Sequence, residues 1–135
     1  MLQESPKDAA RAARAAAFHA AIDALLVFYA PDVVCYPAKG WVQEAVCHGH
    51  EGIRKLSAVW TESMDDASLA VHEVRDMHER VLILAELTGR AKGSGAPMRQ
   101  PFGVVNSDLR DDGTVGEVRF FLTWQEALES MGLTE

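Results

Sequence analysis

The chain has 135 residues, 48% of them hydrophobic, with 20 acidic against 13 basic side chains for a net charge of −7. That length suits one compact domain with a single core, and the acidic balance argues against nucleic acid and an anionic membrane surface as partners. Nothing approaches the ~20 apolar residues of a membrane span, and the alanine-rich N-terminus, broken by His19 and Asp23, reads as mature cytoplasmic structure rather than a signal peptide.

Ser5-Pro6-Lys7-Asp8 has the form of a helix start: a capping hydroxyl, a proline at the first helical position and an acid at the positive end of the dipole. Alanine then carries the helix to about Tyr29. Phe18, Ile22, Leu25 and Tyr29 form its apolar stripe, and Pro31 stops it. Val33 to Tyr36 is a short strand closed by Pro37, and residues 38–48 are irregular. A second helix begins near His50 with Ile53, Leu56 and Trp60 as its stripe, and Asp65-Asp66 turns the chain out of it.

Four strands follow, over about 68–77, 80–90, 98–109 and 115–123. His78-Glu79, the Lys92–Pro97 stretch and Asp111-Asp112-Gly113 supply the turns between them. A short last helix starts at the capping-box pattern Thr123-Trp124-Gln125-Glu126 and ends at Gly132. No linker or repeat divides the chain, so residues 1–135 form a single domain. Helices segregated from an antiparallel meander define an α+β fold with the helices packed on one face of a bent sheet.

Val81, Ile83, Ala85 and Leu87 alternate with Leu82 and Leu84, so neither face of that strand is polar. A second subunit covering the outer face would answer this, which makes a homodimer the expected assembly. Cys35 and Cys47 fall in neither a CxxC nor a Cys/His ligand pattern. They read as reduced, partly buried thiols, with a disulfide between them as the alternative.

Several short segments resemble the nuclear-transport-factor-2-like superfamily, closest to its SnoaL-like branch. They are Phe28 to Val34, Gly49 to Arg54, Val74-Arg75-Asp76, Glu79-Arg80-Val81, Asp112-Gly113 and Glu126-Ala127-Leu128, and they fall in the order of that family. The resemblance implies a cone-shaped α+β barrel with a hydrophobic pocket between the helices and the concave sheet, often in a dimer. Its relatives include polyketide cyclases, ketosteroid isomerases, limonene epoxide hydrolases, dehydratases and proteins with no chemistry, so the fold alone assigns no activity. Carried over position by position, the catalytic sets are missing. The isomerase base position holds Tyr36-Pro37, its helical tyrosine region holds Ala13 and Arg14, and its second carboxyl position holds Phe102. Arg80 matches the arginine of the epoxide hydrolase relay, but Leu82 and Arg119 stand where its aspartates belong. The last three strands contain no histidine for a dehydratase.

What remains is Glu86, a carboxylate inside an apolar strand. A buried charge costs several kcal/mol unless it is paired or lines a wet pocket. In a hydrophobic pocket it would serve as a general acid or base, with Arg119 stabilising a ligand oxygen; in the bland reading Glu86 points to the sheet edge or pairs at a dimer interface, and Arg119 forms a structural salt bridge to Glu86 or Glu117. Asn106 would orient a ligand carbonyl or satisfy a neighbouring backbone group. Tyr36, Trp41, Leu56, Trp60, Phe102 and Phe121 would line the cavity wall for a small, mainly apolar, oxygenated molecule, or are simply core. His48 and His50 have no evident third ligand, so no metal and no organic cofactor is implied. The functional alternatives are acid–base isomerase, cyclase or dehydratase chemistry next to a carbonyl, a noncatalytic small-molecule-binding module, and a protein-interaction module.

Overall fold

The structure, a computed structural model, describes residues 5–40 and 45–133, without the side chains of Lys7, Asp8, Arg11, Trp60 and Thr61. Helix α1 runs Pro6–Leu25, followed by a 3₁₀ turn, Leu26–Phe28, and strand β1, Tyr29–Tyr36. Strand β2 is Cys47–His48 and helix α2 is Gly49–Ser63. The meander is β3 (Met64–Asp76), β4 (Val81–Ala91), β5 (Pro97–Leu109) and β6 (Val115–Phe121), closed by helix α3 (Trp124–Ser130). The six strands form one sheet in the order β2-β1-β6-β5-β4-β3, with β1 and β6 parallel and all other neighbours antiparallel. None of the described helices is long and apolar enough to cross a membrane.

The first helix ends earlier than its alanine run suggests. Leu26 is buried in the core, Tyr29 is already extended, and Tyr29 pairs with Val115 of β6. Strand pairing across the sheet thus outweighs local helix preference, and Tyr29 leaves the helical stripe to become a sheet residue. Asp65-Asp66 does not end the second helix in a loop. It lies inside β3, where the register shifts between Asp65 and Ser68 and Asp66 takes a positive φ of 58°.

The sheet carries apolar side chains on both faces, and both are covered from within the chain. On the inner face Phe18, Leu26, Val33, Ile53, Leu56, Ala85, Leu87, Phe102, Val104 and Val118 share one core with α1 and α2. On the outer face Leu82, Leu84 and Val105 pack against Ala127, Leu128 and Met131 of α3 and the turn that follows it. The face of β4 that seemed to require a second subunit is therefore covered by α3. Burying such a leucine is worth ~1.5–3 kcal/mol, enough for a seven-residue helix to be held by packing rather than by its own propensity. Thr123 caps α3, its hydroxyl accepting the Glu126 N–H at 3.1 Å as the capping-box pattern predicts. The helix sits so close to β5 that a Cβ on Gly103 would run into the Ala127 methyl.

Candidate functional site

The inner face encloses an apolar cavity of about 170 Å³. Ile22 and Leu25 of α1 and Leu26 form one wall, and Ile53 and Ser57 of α2 another. The sheet contributes Tyr29, Leu69, Val71, Ile83, Ala85, Phe102, Val104, Val118 and Phe120. These positions alternate along their strands because successive side chains point to opposite faces. Leu25 is 45% exposed and Val71 58%, so the cavity opens between the end of α1 and edge strand β3.

Its polar groups are few and specifically engaged. The Tyr29 hydroxyl donates to Asn106 Oδ1 at 3.1 Å, and the Ser57 hydroxyl donates to the Ile53 carbonyl oxygen at 3.0 Å. Both hydroxyl protons are committed within the chain, which leaves each oxygen only its lone pairs to offer a ligand. Burial pushes the Tyr29 phenol above its ordinary value of 10.0, partly offset by the bond to Asn106, so it is neutral at physiological pH. No other described residue lining the cavity carries a carboxylate, imidazole or thiol. Among the described residues no cluster of histidine, cysteine and acidic side chains could hold a metal ion.

The outer face holds the charges. Glu86 is buried, and its Oε2 accepts from Arg99 Nη2 at 2.6 Å and Nε at 3.1 Å. His72 Nε2 lies 3.9 Å from its other oxygen, and the His72 ring packs at 5.2 Å against Trp124 of α3. The Trp124 indole N–H donates to the Ala85 carbonyl at 2.8 Å. Further along, Arg119 stacks over the Tyr36 ring at 4.0 Å and bonds Glu117 at 3.1 Å. Tyr36, Arg119 and Phe121 line an open groove beside Glu126 and Glu129 of α3.

No family model matches the sequence, and no curated protein matches it. Solved structures do resemble the chain. A protein of unknown function from Burkholderia pseudomallei, described as nuclear-transport-factor-2-like, superposes with a TM-score of 0.63 at 20% identity, covering 90% of this chain and 91% of its own. A protein from a Jannaschia species, described only by its likeness to SnoaL-like polyketide cyclases, gives 0.61 at 19% identity over 99% and 97%. The fold is nuclear-transport-factor-2-like. A protein from Catenulispora acidiphila with the ketosteroid-isomerase-like version of this fold, in complex with trimethylamine, gives 0.60 at 19% identity over 89% and 92%. Identities this low establish the fold and leave the activity open.

Within this nuclear-transport-factor-2-like cone, the candidate residues divide between two faces. Phe102 lines the cavity, and Asn106 reaches it through the Tyr29 hydroxyl. Leu56 is buried in the same core beside the cavity-lining Ile53 and Ser57. Glu86 and Arg119 do not share the cavity. Their neighbours Ala85 and Val118 point inward, so strand parity sends both charges outward, each to its own ion pair. Tyr36 and Phe121 go outward with them. Trp41 lies outside the described residues, as does the side chain of Trp60. Tyr29 and Ser57 escape sequence reading because a tyrosine at helical spacing and a lone helical serine carry no mark of a pocket. The signal that could find Tyr29 is Pro31, which favours extended backbone at Ala30, the residue next to it.

Proposed function

We propose that the chain binds, without transforming it, one small cyclic alcohol or phenol in the inner cavity. The observation that carries this is the cavity's lining: apolar walls with two oxygen acceptors and, among the described residues, no side chain that exchanges a proton near neutral pH. A ligand hydroxyl would donate to Tyr29 or Ser57, whereas among the described lining residues a ligand carbonyl would find no side-chain donor unless Tyr29 released Asn106. Size narrows the class further. A dry cavity of ~150 Å³ accepts benzene, so this one suits a single ring of roughly six to ten non-hydrogen atoms rather than a polycyclic compound. The Catenulispora protein, in complex with trimethylamine, offers a precedent for a ligand of small size in this fold.

The cyclohexanol–cyclohexanone pair tests the reading by calorimetry. The alcohol is expected to saturate one site and to bind about five- to tenfold tighter than the ketone, the value of one hydrogen bond. Ala85→Phe, which fills the cavity, should abolish binding. Glu86→Gln and Arg119→Ala, remote from the cavity, should leave affinity within about twofold. Equal affinity for alcohol and ketone, or loss of binding in Glu86→Gln, would overturn it.

A further inference from the structure

Cys35 and Cys47 are direct partners across the antiparallel β1–β2 ladder, and both are buried thiols in the same inner core. Directly opposed residues in such a ladder project to the same side with Cα atoms ~4.5–5.5 Å apart. A disulfide needs Cα atoms ~4.4–6.8 Å apart, so the ladder already supplies the spacing. We propose that Cys35 and Cys47 are a redox-active pair that closes to a cross-strand disulfide, clipping the start of α2 to the sheet.

The clip would bear on the cavity. Cys47 is followed by His48 and then by Gly49, the first residue of α2. The helix packs onto Cys47 at Gly52, where an added Cβ would lie 2.7 Å from the Cys47 Cβ. At the next residue, and again about one turn beyond it, α2 supplies Ile53 and Ser57 to the cavity wall. Fixing β2 to β1 therefore fixes the helix that carries one of the two hydroxyls.

The chemistry is exchange with a low-molecular-weight disulfide such as oxidised glutathione. Cys47 leads, because β2 is a two-residue edge strand and Cys47 is 7% exposed where Cys35 is fully buried. Its thiolate attacks one sulfur of the oxidant, forms a mixed disulfide and expels one glutathione thiolate, which takes a proton. Cys35 then loses its proton to solvent, attacks the Cys47 sulfur and expels the second glutathione. The protein loses two hydrogens and two electrons, and the oxidant becomes two thiols. The second step is slow, since burial holds the Cys35 thiol above its ordinary value.

The test is incubation of the full folded chain with excess oxidised glutathione at mildly alkaline pH, followed by intact mass and thiol titration. The proposal expects a monomeric species lighter by two hydrogens, no titratable thiol, a higher Tm, and full reversal by dithiothreitol. Cys35→Ala is expected to stop at the glutathione adduct on Cys47; should that variant not fold, peptide mapping of the oxidised wild type identifies the cross-link. Retention of both thiols at equilibrium, an adduct that never resolves in the wild type, or a disulfide that lowers Tm would overturn the proposal. Each of these outcomes is independent of whether cyclohexanol binds, so the two proposals fail separately.

Discussion

Asn106 and Tyr29 stabilise the fold as a pair, and the pair is more informative than either residue. Asn106→Leu removes the acceptor of the Tyr29 hydroxyl, leaving a buried donor unmet, and is expected to cost about 1–3 kcal/mol in urea unfolding. Adding Tyr29→Phe removes the orphan as well, so the double variant should recover most of that loss. A double variant no more stable than Asn106→Leu alone would show that the hydroxyl has another partner. The same part of the core sets an alkaline limit. Cys35, pushed up to about 12, and Tyr29, raised above 10.0, both hold their protons more tightly in the folded chain. Their contribution is whole below the ordinary values of 9.0 and 10.0, and it is lost as pH rises through them towards the folded values. The urea midpoint is therefore expected to fall from about pH 9 upward. In Cys35→Ala the fall should begin later, near the tyrosine range; an unchanged onset would contradict the assignment. Glu86 shows where residue-scale reading of the sequence stops. That it needs a partner is legible from the apolar residues around it. Which face it takes depends on strand parity, and the partner, Arg99, comes from the neighbouring strand, whose register no local pattern reveals.

At the scale of elements, α3 is the piece whose role is least visible in advance. Its capping box is plain in Thr123 and Glu126, but nothing local says that seven residues will roof the outer face of β4. Leu82 and Leu84 are met by Ala127 and Leu128, so this face of β4 needs no second subunit to cover it. Gly103→Ala tests this packing: the new methyl collides with Ala127, so a loss of ~1–3 kcal/mol is expected, with exposure of Trp124 readable by fluorescence. Thr123→Ala should cost about 1 kcal/mol through the lost cap. Equal stability of Gly103→Ala and wild type would mean that α3 is not seated on the sheet. The boundaries of α1 show the reverse case. Alanine content makes the helix legible, while its end at Leu25 is set by the pairing of Tyr29 with Val115, more than eighty residues away in the chain.

For the molecule as a whole, the order of the helices and the meander are legible in the sequence, because hydrophobic alternation and turn residues are local signals, whereas the two-residue β2 is not. Nor is the pocket's chemistry, because it depends on which strands meet. The two ends of the sheet's history are tied by an exposed ion pair: Arg110, beyond β5, binds Asp32 of β1 at 2.7 Å and Asp108 at 3.1 Å. Arg110 holds the Asp32 carboxyl below its ordinary value of 3.8. A depressed carboxylate contributes fully above the ordinary value and loses that contribution as pH falls through the folded one. The stability difference between wild type and Asp32→Asn is therefore expected to be constant at neutral pH and to vanish only below about pH 4.

The central claim, that the working hollow is on the inner face and the charged residues are on the outer one, is tested most directly by methyl-group NMR of the chain saturated with cyclohexanol. Shifts are expected at Ile22, Ile53, Ile83, Leu69 and Val104, with Leu82, Leu84 and Leu128 unmoved. Shifts concentrated on the α3 face around Leu82, Leu84 and Leu128, with the inner methyls silent, would contradict it.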